Sequence, residues 1–152
     1  MSLRPGVRIG IDVGSVRIGV ARSDVSATLA VPVETVARGP GDLDRLAELI
    51  AEHEAIEVIV GLPLTLAGRS GPAAAAASEF ARAVADRVAP LPVRLVDERL
   101  STVTATRGLR EAGRSAKSGR SVVDQAAAVV LVQYAVDSER ATGRAPGQLV
   151  QE

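Results

Sequence analysis

The chain predicts an α/β fold built on a mixed five-stranded sheet, three strands antiparallel and two parallel, with helices on both faces. Three observations carry this expectation. Apolar strand-like segments joined by short loops run up to Val36, helical spacing takes over after Asp42, and two further short apolar segments then alternate with helix-like stretches. Strands in immediate succession favour an antiparallel meander, and strands separated by helices favour parallel crossovers.

Val7 to Val13 reads as a strand with Ile9, Ile11 and Val13 on one face, and Gly14-Ser15 turns the chain into a returning strand, Arg17 to Ala21. Val31 to Val36 is a third strand, and Pro32, which cannot donate to a ladder, directs it to the sheet edge. After Asp42, Leu43, Leu46, Ala47 and Ile50 follow the i, i+3, i+4, i+7 rule of a helix. Val58-Ile59-Val60 is wholly apolar, as a strand covered on both faces should be. Pro72 opens an Ala-rich helix with Ala77, Phe80, Val84 and Val88 in its stripe, and Val93 to Val96 forms the fifth strand. A helix is expected from about Ser101 to Ala112, then a Gly- and Ser-rich loop from Gly113 to Gly119. Ser121 opens the last helix, and Gly143 with Pro146 marks a tail.

A chain of 152 residues fits a single domain, 1–152. With one Phe, one Tyr and no Trp, its core must be built from Val, Leu, Ile and Ala. The absence of Cys excludes disulfides, thiolate catalysis and Cys-based zinc sites. No leader-like apolar region opens the chain and no stretch approaches the roughly 18 apolar residues of a membrane span, so a soluble cytoplasmic protein is expected, with no membrane partner. Eighteen basic and 18 acidic residues cancel overall, but six bases stand between Arg99 and Arg120 against Glu111 alone. Such a stretch attracts a polyanion or simply forms a solvated face.

Three carboxylate positions carry candidate chemistry. Asp12 lies near the end of an otherwise apolar strand, where burial demands a cation, a donor or a metal; it fits either a ligand or a cap on the turn at Gly14. Asp97-Glu98 stands at the end of the fifth strand, where open α/β sheets bind ligands. Neighbouring strand residues face opposite ways, so one of the two can be a ligand while the other pairs with Arg99. Asp124 has capping spacing from Ser121, yet shares a helical face with Ala127, Ala128 and Leu131, the stripe expected to press on the sheet. Converging carboxylates repel unless a cation lies between them, and all-oxygen ligation suits Mg²⁺ or Mn²⁺ and phosphoryl transfer. The one histidine, His53, falls outside its helix's apolar stripe and is read as a surface residue.

The stretch Gly10-Ile11-Asp12-Val13-Gly14-Ser15-Val16-Arg17-Ile18-Gly19 and its continuation to Asp24 closely resembles the opening motif of the YqgF family. Val60-Gly61-Leu62-Pro63-Leu64 resembles that family's second block, Asp97-Glu98-Arg99-Leu100-Ser101-Thr102 its third, and Val123-Asp124-Gln125-Ala126 its fourth. Together they run in order from about residue 7 to 136. The resemblance implies an RNase H-like fold related to the Holliday-junction resolvases, a catalytic and metal-binding trio of Asp12, Glu98 and Asp124, and Mg²⁺ or Mn²⁺ as cofactor. It implies a nuclease maturing the 5′ end of pre-16S rRNA, with four-way DNA junctions as the alternative substrate. The preference for Glu98 over Asp97 comes from the family pattern. The loop before Asp124, with Lys117 and Arg120, is less basic than that pattern.

Arg17, Arg99, Lys117 and Arg120 are then candidates for phosphate contacts, which position a nucleic acid without reading its sequence. Arg17 alternatively pairs with Asp12 or Asp97. So few aromatic residues disfavour base stacking as a mode of recognition. A structured RNA, a DNA junction cut by a homodimer, and a weakly catalytic nucleic-acid-binding assembly factor, as monomer or dimer, are the three functional expectations. Asp12-Val13-Gly14 also resembles the phosphate loop of actin-like and sugar-kinase ATPases, but those enclose nucleotide between two such domains, and this length supplies one.

Overall fold

A computed structural model describes residues 3–64, 67–100 and 120–151, with the backbone alone for 120–124. The elements are β1 (Arg8–Val13), β2 (Arg17–Ser23), β3 (Ala30–Ala37), α1 (Asp42–Glu52), β4 (Glu57–Leu62), α2 (Pro72–Val88) and β5 (Val93–Asp97). A 3₁₀ turn (Glu98–Leu100), α3 (Arg120–Thr142) and β6 (Gln148–Leu149) complete them. The expected helix at 101–112 and the loop at 113–119, with Lys117, lie outside the described residues.

One sheet holds six strands in the order β3-β2-β1-β4-β5-β6. β1, β2 and β3 form the antiparallel meander, and β4 and β5 run parallel to β1. Pro32 indeed lies on an edge strand. The sixth strand corrects the count of five: the tail returns after Pro146-Gly147 and pairs antiparallel with β5, Arg94 to Leu149 and Leu95 to Gln148. Gly147 makes that return possible. Its φ of +82° suits glycine, and a Cβ there would stand 2.2 Å from the Leu95 carbonyl oxygen.

Alternation divides the core into two layers. Ile9 and Ile11 of β1, Ile18 and Val20 of β2, and Val58 and Val60 of β4 face α1 and α2, where Leu46, Leu49, Phe80 and Val84 meet them. Each large apolar side chain so buried contributes roughly 1.5–3 kcal/mol. The opposite face is narrower. Ile59 and Val96 pack with Ala127, Leu131 and Ala135 of α3, and Ala21 with Ala128 and Val132.

Gly10 explains how closely α3 approaches. A Cβ at that position would lie 2.2 Å from Val132 Cγ2 and 3.2 Å from the Ala128 carbonyl oxygen, so the helix rests on the bare backbone of β1. Its axial position is fixed at the far end by buried charge. Arg8, two residues before Gly10 and on the same face, donates to Glu139 at 3.0 Å. Glu139 also accepts from Arg4 at 2.8 and 3.0 Å, while Glu57, directly paired with Arg8 in the ladder, accepts from Arg4 and Arg94. Arg8, Glu57 and Glu139 are all buried. These contacts hold Glu139 well below its ordinary range, down to about 2, chiefly through the hydrogen bonds from Arg4.

Candidate active site

The same alternation that turns Arg8 and Gly10 toward α3 turns Asp12 toward it, at the C-terminal end of β1. Asp12 is 0% exposed. A cap on the following turn is the simpler role for such a residue, but the Gly14 amide already donates to the Arg17 carbonyl at 2.9 Å, closing the hairpin by backbone alone. Arg38 braces this hairpin. Its Nη1 donates to the Gly14 carbonyl at 2.9 Å while its guanidinium lies 5.0 Å from the centre of the Phe80 ring.

β4 supplies the clearance. The β1–β4 ladder pairs Ile11 with Val60, so Asp12 and Gly61 sit side by side just beyond it, on strands about 4.8 Å apart. Gly61 shares its face with Ile59, which packs under α3. On β4's other side Gly61 pairs with Val96 and Leu62 with Asp97, and Glu98 follows at once in the 3₁₀ turn. The Glu98 carboxylate folds back over Gly61, on the face that Asp12 occupies, and Glu98 is 2% exposed.

Asp97 behaves differently. Its carboxylate accepts from the Arg99 side chain at 3.1 and 2.6 Å and from the Arg99 amide at 2.9 Å. That pairing holds the Asp97 carboxyl below its ordinary range and engages Arg99, whose other guanidinium nitrogen lies against Gly68. The two acids thus diverge: one turns outward into an ion pair, the other inward beside Asp12.

α3 runs antiparallel to β1, with Glu139 at Arg8 and Val132 with Ala128 at Gly10. Two strand residues advance about 6.6 Å, or four to five helical residues, which brings about 125–126, next to Asp124, to the level of Asp12. A hydrogen bond confirms the level: Gln125 donates to Thr35 at 3.1 Å, and Thr35 pairs with Gly19, which pairs with Asp12. Asp124 therefore belongs to the part of α3 that crosses the site; its side chain, like that of Arg120, lies outside the described residues. Among the described residues no group of three His, Cys, Asp or Glu side chains converges as a metal cage. Arg17 opens β2 at the same end of the sheet. His53 follows α1, whose apolar side packs on the other face of the sheet.

Sequence reasoning did not assign roles to Arg38, Thr35 or Gln125. Their contacts span 24 and 90 residues, and no local pattern signals them. Gly61 stood within a recognised motif, but nothing local connects it to Glu98.

The strand order, with an antiparallel meander followed by parallel strands and a helix laid across the first of them, defines an RNase H-like α/β fold. RuvC from T. thermophilus, solved in complex with a Holliday junction substrate, superposes with a TM-score of 0.53 at 19% identity, covering 95% of this chain and 99% of that one. The chain belongs to the RuvX family, described as Holliday junction resolvase, whose model matches residues 6–138. A Nocardioides protein named "Putative pre-16S rRNA nuclease" is 59% identical over 99% of both chains. A Thermobifida fusca protein of the same name is 57% identical over 98% of both.

Proposed function

We propose that this chain is a divalent-metal-dependent nuclease, acting as a single domain, that hydrolyses phosphodiester bonds in maturing the 5′ end of pre-16S rRNA. The observation that carries the reading is the pair of buried carboxylates, Asp12 and Glu98, on one face of the sheet at the ends of β1 and β5, which flank β4, beneath the start of α3. The substrate follows the relatives named as pre-16S rRNA nucleases.

Two buried acids side by side are costly without a cation, and an all-oxygen donor set suits Mg²⁺ or Mn²⁺. The residues therefore fit such an ion, with Asp12 and Glu98 as ligands and Asp124 as the third. When bound, the ion supplies Lewis acidity and lowers the pKa of a coordinated water at the scissile phosphate. The chain's own part is to hold the carboxylates rigid, keep bulk water out beneath α3, and orient the phosphate backbone. Arg17, Lys117 and Arg120 are the residues assigned to that last task. Arg99 joins them only by giving up contacts to Asp97. A substrate of this kind is met in the cytoplasm.

The family description and the RuvC likeness favour a second reading, cleavage of four-way DNA junctions, which requires a homodimer to cut two strands symmetrically. One experiment separates them. The purified protein is assayed with Mn²⁺ and with EDTA on precursor rRNA, on four-way DNA junctions and on linear controls of each. Metal-dependent cleavage of precursor rRNA above the controls supports the proposal, and selective junction cleavage supports the second reading. Binding without cleavage of any substrate contradicts both and marks an assembly factor.

A further inference from the structure

Glu98 reaches its position across a strand to which it does not belong. It follows β5, yet its carboxylate stands over β4: a Cβ at Gly61 would lie 2.5 Å from Glu98 Oε1 and 3.3 Å from its Cδ and Cγ. The three nearest atoms are all from this one side chain. Gly61 sits within the β4 ladder, with no positive φ to require glycine. A glycine inside a strand weakens it by roughly 0.5–1 kcal/mol relative to alanine, so its presence between Val60 and Leu62 calls for a close approach by another group.

We infer that Gly61 is a positioning residue for Glu98, its missing side chain forming the seat that lets the carboxylate lie on the α3 side of the sheet next to Asp12. Any Cβ at 61 occupies that seat and displaces Oε1. This rests on the metal-site reading above, because the seat matters only if Glu98 must stand beside Asp12. The consequence is specific: Gly61 acts through Glu98 and through nothing else.

A double-mutant cycle tests it. Mn²⁺ affinity is measured by calorimetric titration for wild type, Gly61→Ala, Glu98→Ala and the double variant, with thermal unfolding of each apoprotein alongside. The expected result is a folded Gly61→Ala protein whose Mn²⁺ affinity falls at least tenfold, close to that of Glu98→Ala. The double variant then binds no worse than Glu98→Ala alone. Wild-type affinity in Gly61→Ala, with affinity lost in Glu98→Ala, overturns the role of Gly61 while leaving the metal site intact. Wild-type affinity in Glu98→Ala overturns the metal-site reading itself. If Gly61→Ala does not fold, folding restored by adding Glu98→Ala supports the proposal. A double variant that also fails to fold overturns it, because the space at 61 then serves packing.

Discussion

Replacing Glu139 by Gln should remove most of the charge that pins the far end of α3, and its cost should depend on pH in a defined way. Glu139 accepts from Arg4 at three nitrogens, between 2.8 and 3.2 Å, and from buried Arg8 at 3.0 Å. Together these contacts hold its carboxyl at about 2, against an ordinary 4.5. At about 1.36 kcal/mol per pH unit, that displacement corresponds to roughly 3 kcal/mol of folding stability. Arg4 is partly exposed, and solvent screening there trims its share. The variant also leaves Arg8 buried without a carboxylate on α3, which adds to the loss. A difference of about 3 kcal/mol at pH 7 is therefore expected. Because the folded carboxyl is the stronger acid, this stability is complete above the unfolded value near 4.5. It is lost as pH falls toward 2, and at pH 3 roughly half should remain. Urea denaturation of both proteins between pH 7 and pH 3 reads the gap directly, with the m-value reporting that two-state unfolding persists. A gap below about 1 kcal/mol at pH 7, or one that stays constant down to pH 3, would mean that the pairing of Glu139 with Arg4 and Arg8 does not stabilise the fold.

Two further substitutions probe the site's surroundings. Gly10→Ala places a methyl group where Val132 and the Ala128 carbonyl now rest on β1, so it should lower stability in urea by about 1–3 kcal/mol and weaken Mn²⁺ binding by lifting α3; unchanged stability would mean the helix does not rest there. Asp97→Asn breaks a partly exposed pair with Arg99 and should leave the urea midpoint and Mn²⁺ affinity near wild type, whereas loss of metal affinity would show that Asp97, rather than Glu98, is the ligand.

Hydrophobic period made most of the fold legible. Ile9 and Ile11 face one way because strands alternate, Val58-Ile59-Val60 is buried on both faces as its composition demands, and Pro32 lies on an edge. What escaped was contact between distant segments. Glu57 carries no local sign of burial, yet it is buried, with Arg4 and Arg94 donating to it and Arg8 beside it in the ladder. β6 has two residues, too few to show a period. The choice between Asp97 and Glu98 could not be made by alternation either: the strand ends at Asp97, and Glu98 starts a 3₁₀ turn in which alternation no longer applies. Gly61, one strand away, leaves open the space that the Glu98 carboxylate occupies.

Asp12→Asn asks whether Asp12 and Glu98 hold a metal ion that cleavage requires. The substitution keeps the shape of the side chain and removes the charge. Cleavage of precursor rRNA by this variant and by wild type should be compared at matched Mn²⁺, with circular dichroism and a binding assay on both. Metal-dependent cleavage is expected to vanish in the variant, with the fold and nucleic-acid binding retained. A folded Asp12→Asn protein that cleaves as fast as wild type would show that Asp12 is not a ligand the reaction requires.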